Sequence, residues 1–206
     1  MFTPNDPTIA ILGTGKMGSA IARRLADSGY ELVLWNRTRE RAEALGVTLT
    51  LENEFDCFGH DPAGSDPTRR PEATARLFER VGSSRFRLTF DPCNAYFAGI
   101  EAFPSFYEAV RPFIGYVHVK DGGRLTGAAD PAWTEFSDHG RRYATCPLGE
   151  GALNWPGLLR ALARDGYSGF LTLEPHGRIE SRDAAWDQAA STLKGWLNGL
   201  RPEVPR

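Results

Sequence analysis

Hydrophobic positions in this chain fall into short runs separated by charged, helix-spaced stretches. Residues 8–12 predict a buried strand, and Ile21, Ala22 and Leu25 mark a helix to about Ser28 with Gly29 as its cap. Glu31 to Trp35 predicts a second strand, and Arg39 to Leu45 a short charged helix that Gly46 stops. Val47 to Glu52 is the third strand. An irregular stretch follows to about Arg70, and Pro71 suits the first turn of a helix reaching about Val81. Further strands are expected at Phe86–Asp91, Ile114–Val119 and Gly169–Glu174, with helices at Pro104–Arg111, Trp155–Asp165 and Arg182–Leu200. Asp121 to about Leu153 shows little regular pattern and reads as a long functional excursion. The sum is an α/β fold of about six parallel strands with helices between them.

Four of the strands end alike. Thr48–Glu52, Arg87–Asp91 and Phe170–Glu174 each finish Leu-Thr-apolar-carboxylate, and Ile114–His118 ends in an imidazole. Strand side chains alternate with a period of two. Thr50 therefore shares a face with Glu52, Thr89 with Asp91, Tyr116 with His118, and Thr172 with Glu174. A carboxylate after a strand is commonly just a turn or cap residue. Four polar ends on successive strands form a pattern that a cap does not explain.

Composition narrows the setting. The 206 residues carry a net charge of −2, which gives no bulk-charge footprint for nucleic acid. Cys57, Cys93 and Cys146 are odd in number and form no Cys-x-x-Cys pair, which fits a reducing compartment. No apolar run reaches the ~20 residues a membrane span needs. Met1 to Pro7 shows no secretory pattern, so the cytoplasm is the expected location.

Gly13-x-Gly15-x-x-Gly18 follows the first strand and opens a helix, the context of a dinucleotide fingerprint. Such a turn brings backbone N–H groups to a pyrophosphate. Asn36, Arg37 and Thr38 end the second strand, where arginine suits a 2′-phosphate and so NADP over NAD. The segment from about residue 8 to 46 resembles the start of the β-hydroxyacid and 6-phosphogluconate dehydrogenase superfamily. The resemblance implies a cofactor site at Gly13, Gly15, Lys16, Met17, Gly18, Asn36, Arg37 and Thr38. A scaffold piece that merely retains a phosphate-binding turn is the other reading, because the rest of a dinucleotide site is missing.

From Val47 to about His176 the chain is similar to the C-terminal half of the xylose isomerase-like TIM barrels, the sugar phosphate isomerase/epimerase group. The matching phrases are Leu51-Glu52-Asn53-Glu54, Phe90-Asp91-Pro92-Cys93-Asn94, His118-Val119-Lys120-Asp121, Pro147 to Gly151, and Leu173-Glu174-Pro175-His176. The resemblance implies a divalent metal held by Glu52, Asp91, His118 and Glu174. One imidazole with three carboxylates favours Mn²⁺ or Mg²⁺, with Co²⁺ or Zn²⁺ also fitting. It further implies that Glu52 and Glu174 act as acid and base on a ketose, through a cis-enediolate. Asn94 and Arg124 are the implied substrate contacts.

Weighed on their own, Glu54 and Glu150 read as loop carboxylates, and Lys120 as a solvated or ion-paired lysine, with a catalytic role as its alternative. His60, His139 and His176 are exposed or support the site from outside, and Trp155, Trp186 and Trp196 anchor the core. The related AP endonucleases hold several zinc ions through many histidines. Four histidines and an acidic balance argue against that class and against DNA.

The chain thus reads as a chimera: a Rossmann-like βαβα segment over 1–46 joined near residues 42–47 to a half (β/α)8 barrel over 47–206, merged into one unit. An open sheet, a distorted closed barrel and a dimer that completes closure all remain open as outcomes, and a homo-oligomer is one expectation. The expected partner is a small sugar or sugar phosphate. An NADP-binding module and an inactive fold hybrid stand as alternatives.

Overall fold

The structure is a computed structural model, and it describes residues 9–12, 32–35, 48–55, 66–128, 130–178 and 182–200. The glycine turn from Gly13 to Gly18, Asn36 to Thr38, the helices expected before Ser28 and Leu45, His60 and Cys57 lie outside the described residues.

Strands β1 (Ile9–Leu12) and β2 (Leu32–Trp35) pair in parallel as a two-stranded sheet. The principal sheet is parallel, with β3 (Leu49–Glu52), β4 (Phe86–Phe90), β5 (Ile114–Val119) and β9 (Phe170–Leu173) side by side in that order. Among the described residues it is an open arc, with β9 bonded on one side to β5.

Helices connect these strands where apolar spacing and caps dictate. Helix α1 (Pro71–Val81) starts with proline at its first turn and ends at Gly82 in the left-handed region. Helix α2 (Pro92–Phe97) is capped by Asp91, and α3 (Tyr107–Val110) continues from a turn at Ala102–Phe106. Helix α4 (Trp155–Arg164) is capped by Asn154, whose Oδ1 accepts from the Gly157 N–H, and α5 (Arg182–Gly199) closes the described chain.

One face of the principal sheet packs on these helices. Leu88, Phe90, Val117 and Val119 alternate onto that face and are fully buried with Phe106, Val110 and Trp155. The opposite face carries Thr50, Thr89, Tyr116 and Thr172, and it is the face left partly open. Phe170, on the same parity, is 53% exposed.

Two expectations need correction. The excursion after β5 is regular: β6 (Asp121–Arg124), β7 (Glu135–Asp138) and β8 (Arg141–Cys146) form an antiparallel sheet in the order β6-β8-β7. The described strands are therefore not all parallel. Trp186 is not a core anchor, because it is 42% exposed, whereas Trp155 is fully buried and Trp196 packs against the core. Helix α5 turns Ala185, Ala189 and Leu193 inward instead.

The antiparallel sheet is fastened to the main body. Asp138 is buried and pairs with Arg69 from the segment before α1. Phe136 packs against Phe55, Phe97 and His176. No helix among the described residues is long and apolar enough to cross a membrane.

Candidate functional site

The parallel register brings the four polar strand ends to one place. Glu52 pairs in register with Thr89, Thr89 with Tyr116, and His118 with Thr172. Glu52, Asp91, His118 and Glu174 therefore stand at the C-terminal ends of adjacent strands, on the open face. One ligand atom from each lies within 4.8 Å of the others. His118 Nδ1 is 3.0 Å from Glu52 Oε1, 3.5 Å from Glu174 Oε2 and 3.9 Å from Asp91 Oδ2.

Asp91 has two jobs. Its Oδ1 accepts from the Asn94 N–H and caps α2, while Oδ2 faces the cluster. Asn53, fully buried, clamps the β3 end to the β4 end. Its side-chain amide donates to the Asp91 carbonyl at 2.8 Å and accepts from the Asp91 N–H at 2.8 Å. Asn94 donates to Glu52 Oε1 at 3.1 Å and to the Asn53 carbonyl at 3.1 Å. The asparagine is thus a support for Glu52, next to the cluster.

Lys120 is ion-paired, and buried. Its Nζ lies 2.7 Å from Asp91 Oδ2 and 2.7 Å from Glu174 Oε2. Trp155 fixes the backbone there by donating its indole N–H to the Lys120 carbonyl. His176 Nε2 is 3.6 Å from Glu174 Oε2. The His176 carbonyl accepts from the Thr134 and Thr145 hydroxyls, so the antiparallel sheet aims this loop.

The charges perturb one another. Burial raises the pKa of Glu52, partly offset by its contact with His118. Burial alone would lower the His118 imidazole, but Glu52, Glu174 and Asp91 outweigh it and the net direction is upward. Burial likewise opposes ionisation of Glu174, yet His176, Lys120 and His118 hold its carboxyl at about 2. Glu54 is pushed up to about 7 by burial and by the neighbouring Glu52 charge.

The donor set fits a hard divalent cation. Three carboxylates and one imidazole converge, and the buried Asp91 Oδ2 turns toward them, paired there with the Lys120 ammonium. Charge balance points the same way, since three acids meet one ammonium and one imidazole.

Other residues fall elsewhere. Arg124 is not brought to the four; it lines a cavity that none of them lines. Glu150 and His139 are exposed loop residues. Lys120, Asn53 and Glu54 are the parts of the site that the sequence reading leaves outside it. A two-residue step from His118 reaches Lys120 and one from Glu52 reaches Glu54, each on the same face, whereas Asn53 falls on the other parity.

Comparison with known proteins bears on the whole arrangement. The profile of the xylose isomerase-like TIM barrel family matches residues 19–196. A xylose isomerase domain protein from Planctomyces limnophilus superposes with a TM-score of 0.60 at 15% identity, over 91% of this chain and 75% of that one. A xylose isomerase-like TIM barrel protein from Mycobacterium smegmatis, in complex with magnesium, gives 0.54 at 20% identity, over 90% of this chain and 74% of that one. An L-ribulose 3-epimerase gives 0.53 at 14% identity, over 98% and 90%.

Curated relatives match over short stretches. Mouse cytokine-like nuclear factor N-PAC is 39% identical over 71 residues, 32% of this chain. A glycerol-3-phosphate dehydrogenase [NAD(P)+] of Streptomyces griseus is 51% identical over 41 residues, 20% of this chain. The chain spans 13% and 12% of the lengths of those two relatives.

Proposed function

The chain belongs to the xylose isomerase-like TIM barrel family, and from that premise we propose that it is a metal-dependent sugar isomerase or epimerase. The observation that carries the reading is the convergence of Glu52, Asp91, His118 and Glu174 from four neighbouring strand ends. These four would hold a divalent cation, with Mn²⁺ or Mg²⁺ favoured by the oxygen-rich set. A bound cation there would supply Lewis-acid polarisation of a ketose carbonyl and its neighbouring hydroxyl.

The protein's own groups then move the proton. Glu52 comes from β3 and Glu174 from the end of β9, strands on either side of the His118 strand in the sheet order, and they lie 3.0 and 3.5 Å from His118 Nδ1. A substrate carbon held between them would lose its proton to one carboxylate. The other would return a proton, at the same carbon for epimerisation or at the next for isomerisation. Asn94 keeps Glu52 Oε1 in place. Lys120, beside Glu174 and Asp91, supplies a fixed positive charge where negative charge develops. Arg124 is left out of this reading. The substrate class is a small sugar or sugar phosphate, in keeping with the epimerase among the similar structures. Incubation of the Mn²⁺-loaded protein with ketoses, followed by product chromatography, tests it; Glu174→Gln should abolish conversion, and an inactive wild type that holds metal would sink the proposal.

A second reading concerns the start of the chain, which we take as a dinucleotide-binding remnant joined to a half-barrel. The short matches to proteins such as the glycerol-3-phosphate dehydrogenase favour it. An NADPH fluorescence titration decides the point, with Arg37→Ala expected to weaken any binding; a flat titration at millimolar cofactor removes it.

A further inference from the structure

A cavity of about 480 Å³ opens between the end of α2, the Gly99–Phe103 segment, the antiparallel sheet and the start of α4. Its floor is apolar, with Trp155 fully buried and Leu158 nearly so, beside Phe103 and Ile100. Its wall is cationic. Arg124 on β6 pairs in antiparallel register with Tyr143 on β8, and Arg141 lies two residues before Tyr143. Cross-strand partners and i, i+2 neighbours share a face, so Arg124, Tyr143 and Arg141 present together. The Arg141 guanidinium lies over Gly99, in the space that any side chain there would fill.

The state of these two arginines separates them from their neighbours. Arg142, on the other face of β8, is engaged by Glu135, and Arg69 by Asp138. Among the described residues neither Arg124 nor Arg141 meets a carboxylate. The one acid on the cavity wall, Glu101, accepts from the Ser105 hydroxyl. Two guanidiniums against one carboxylate leave the recess positive. Guanidinium groups match the oxygens of phosphate and carboxylate in a fork, and aromatic walls suit the body of a small ligand.

We propose that this cavity is a binding site for a small organic anion, a phosphate or carboxylate compound, held by Arg124 and Arg141 with its body on the partly exposed Tyr96, Ile100 and Phe103. The site is separate from the four-residue cluster, so it stands or falls independently of the isomerase reading.

Calorimetric titration of the full chain at low salt tests it, with inorganic phosphate, ribose 5-phosphate and malate as probes. Saturable binding of at least one probe is expected, the tighter class naming the anion. Arg124→Lys and Arg141→Lys, which keep the charge and lose the fork, should each weaken binding about tenfold. Glu174→Gln should leave it unchanged. A melting curve for each variant separates lost binding from lost folding. No saturable binding up to about 10 mM of any probe would overturn the proposal. So would equal binding by wild type and a folded Arg124→Lys/Arg141→Lys protein, or loss of binding in Glu174→Gln alone.

Discussion

Replacing Lys120 with methionine should make the strand ends depend on a divalent cation for their stability. Methionine keeps much of the lysine stem, so the change removes the charge and little of the packing. The ammonium is 6% exposed and sits 2.7 Å from both Asp91 Oδ2 and Glu174 Oε2. Coulomb's law at that distance gives ~6 kcal/mol per contact for an effective dielectric near 20. Glu174 is about a third exposed, so water screens part of its share, and the cost of burying the lysine offsets more. Removing one partner of a buried pair typically costs about 3–5 kcal/mol, and that is the loss expected for the metal-free protein. Urea unfolding with and without Mn²⁺ measures it. Mn²⁺ should restore most of the loss in Lys120→Met and stabilise wild type less, because in wild type the cation must share oxygens with the ammonium. Equal metal-free stability of the two proteins would refute the reasoning. An identical Mn²⁺ response in both would do so too.

Glu54 gives a pH prediction. Its carboxyl is held at about 7, above the ordinary 4.5, so the folded state keeps a proton that the unfolded state releases. Stability contributed by that proton is present below pH 4.5 and is lost as pH rises through 7, by about 1–3 kcal/mol. Glu54→Gln should remove this fall, matching wild type in acid and exceeding it at about pH 8; parallel pH–stability curves would contradict it. Gly151→Ala should cost about 2–4 kcal/mol, since a methyl there meets Asp121 and lies 2.7 Å from the Gly122 nitrogen. Asn53→Ala leaves the Asp91 N–H and carbonyl without their side-chain partners and should cost about 2–4 kcal/mol by denaturant titration.

Much of the principal sheet is legible because each strand is an apolar run with a carboxylate or imidazole at its end. Parity then suffices to put Glu52, Asp91, His118 and Glu174 on one face. The antiparallel sheet is not legible for the opposite reason. Its first strand is Asp121-Gly122-Gly123-Arg124, without hydrophobic alternation, and long-range bonds hold it. Asp121 is buried and accepts from the Gly149 N–H at 3.0 Å, a contact across 28 positions that no local pattern foreshadows. Helix α2 carries its signal in plain view, an aspartate cap followed by proline, but its six residues are too short for a helical period to show. Arg124 follows His118 by six positions, and its place on the wall of the cavity that Trp155 also lines is set by the long-range pairing of β6 with β8.

Trp186 fails for a subtler reason. It follows the spacing of Ala189, Leu193 and Trp196, but α5 is eighteen residues long and buries a narrow stripe of small and aliphatic side chains. The large indole falls at the edge of that stripe. The open face of the sheet explains why Phe170 is more exposed still: it lies on the side where a complete barrel would have further strands.

Elemental analysis of the purified full chain, after dialysis against Mn²⁺ and removal of free ion, tests the central claim most directly. The account predicts about one divalent ion per chain in wild type and none retained in Glu174→Gln. A folded wild-type protein without stoichiometric metal would contradict it.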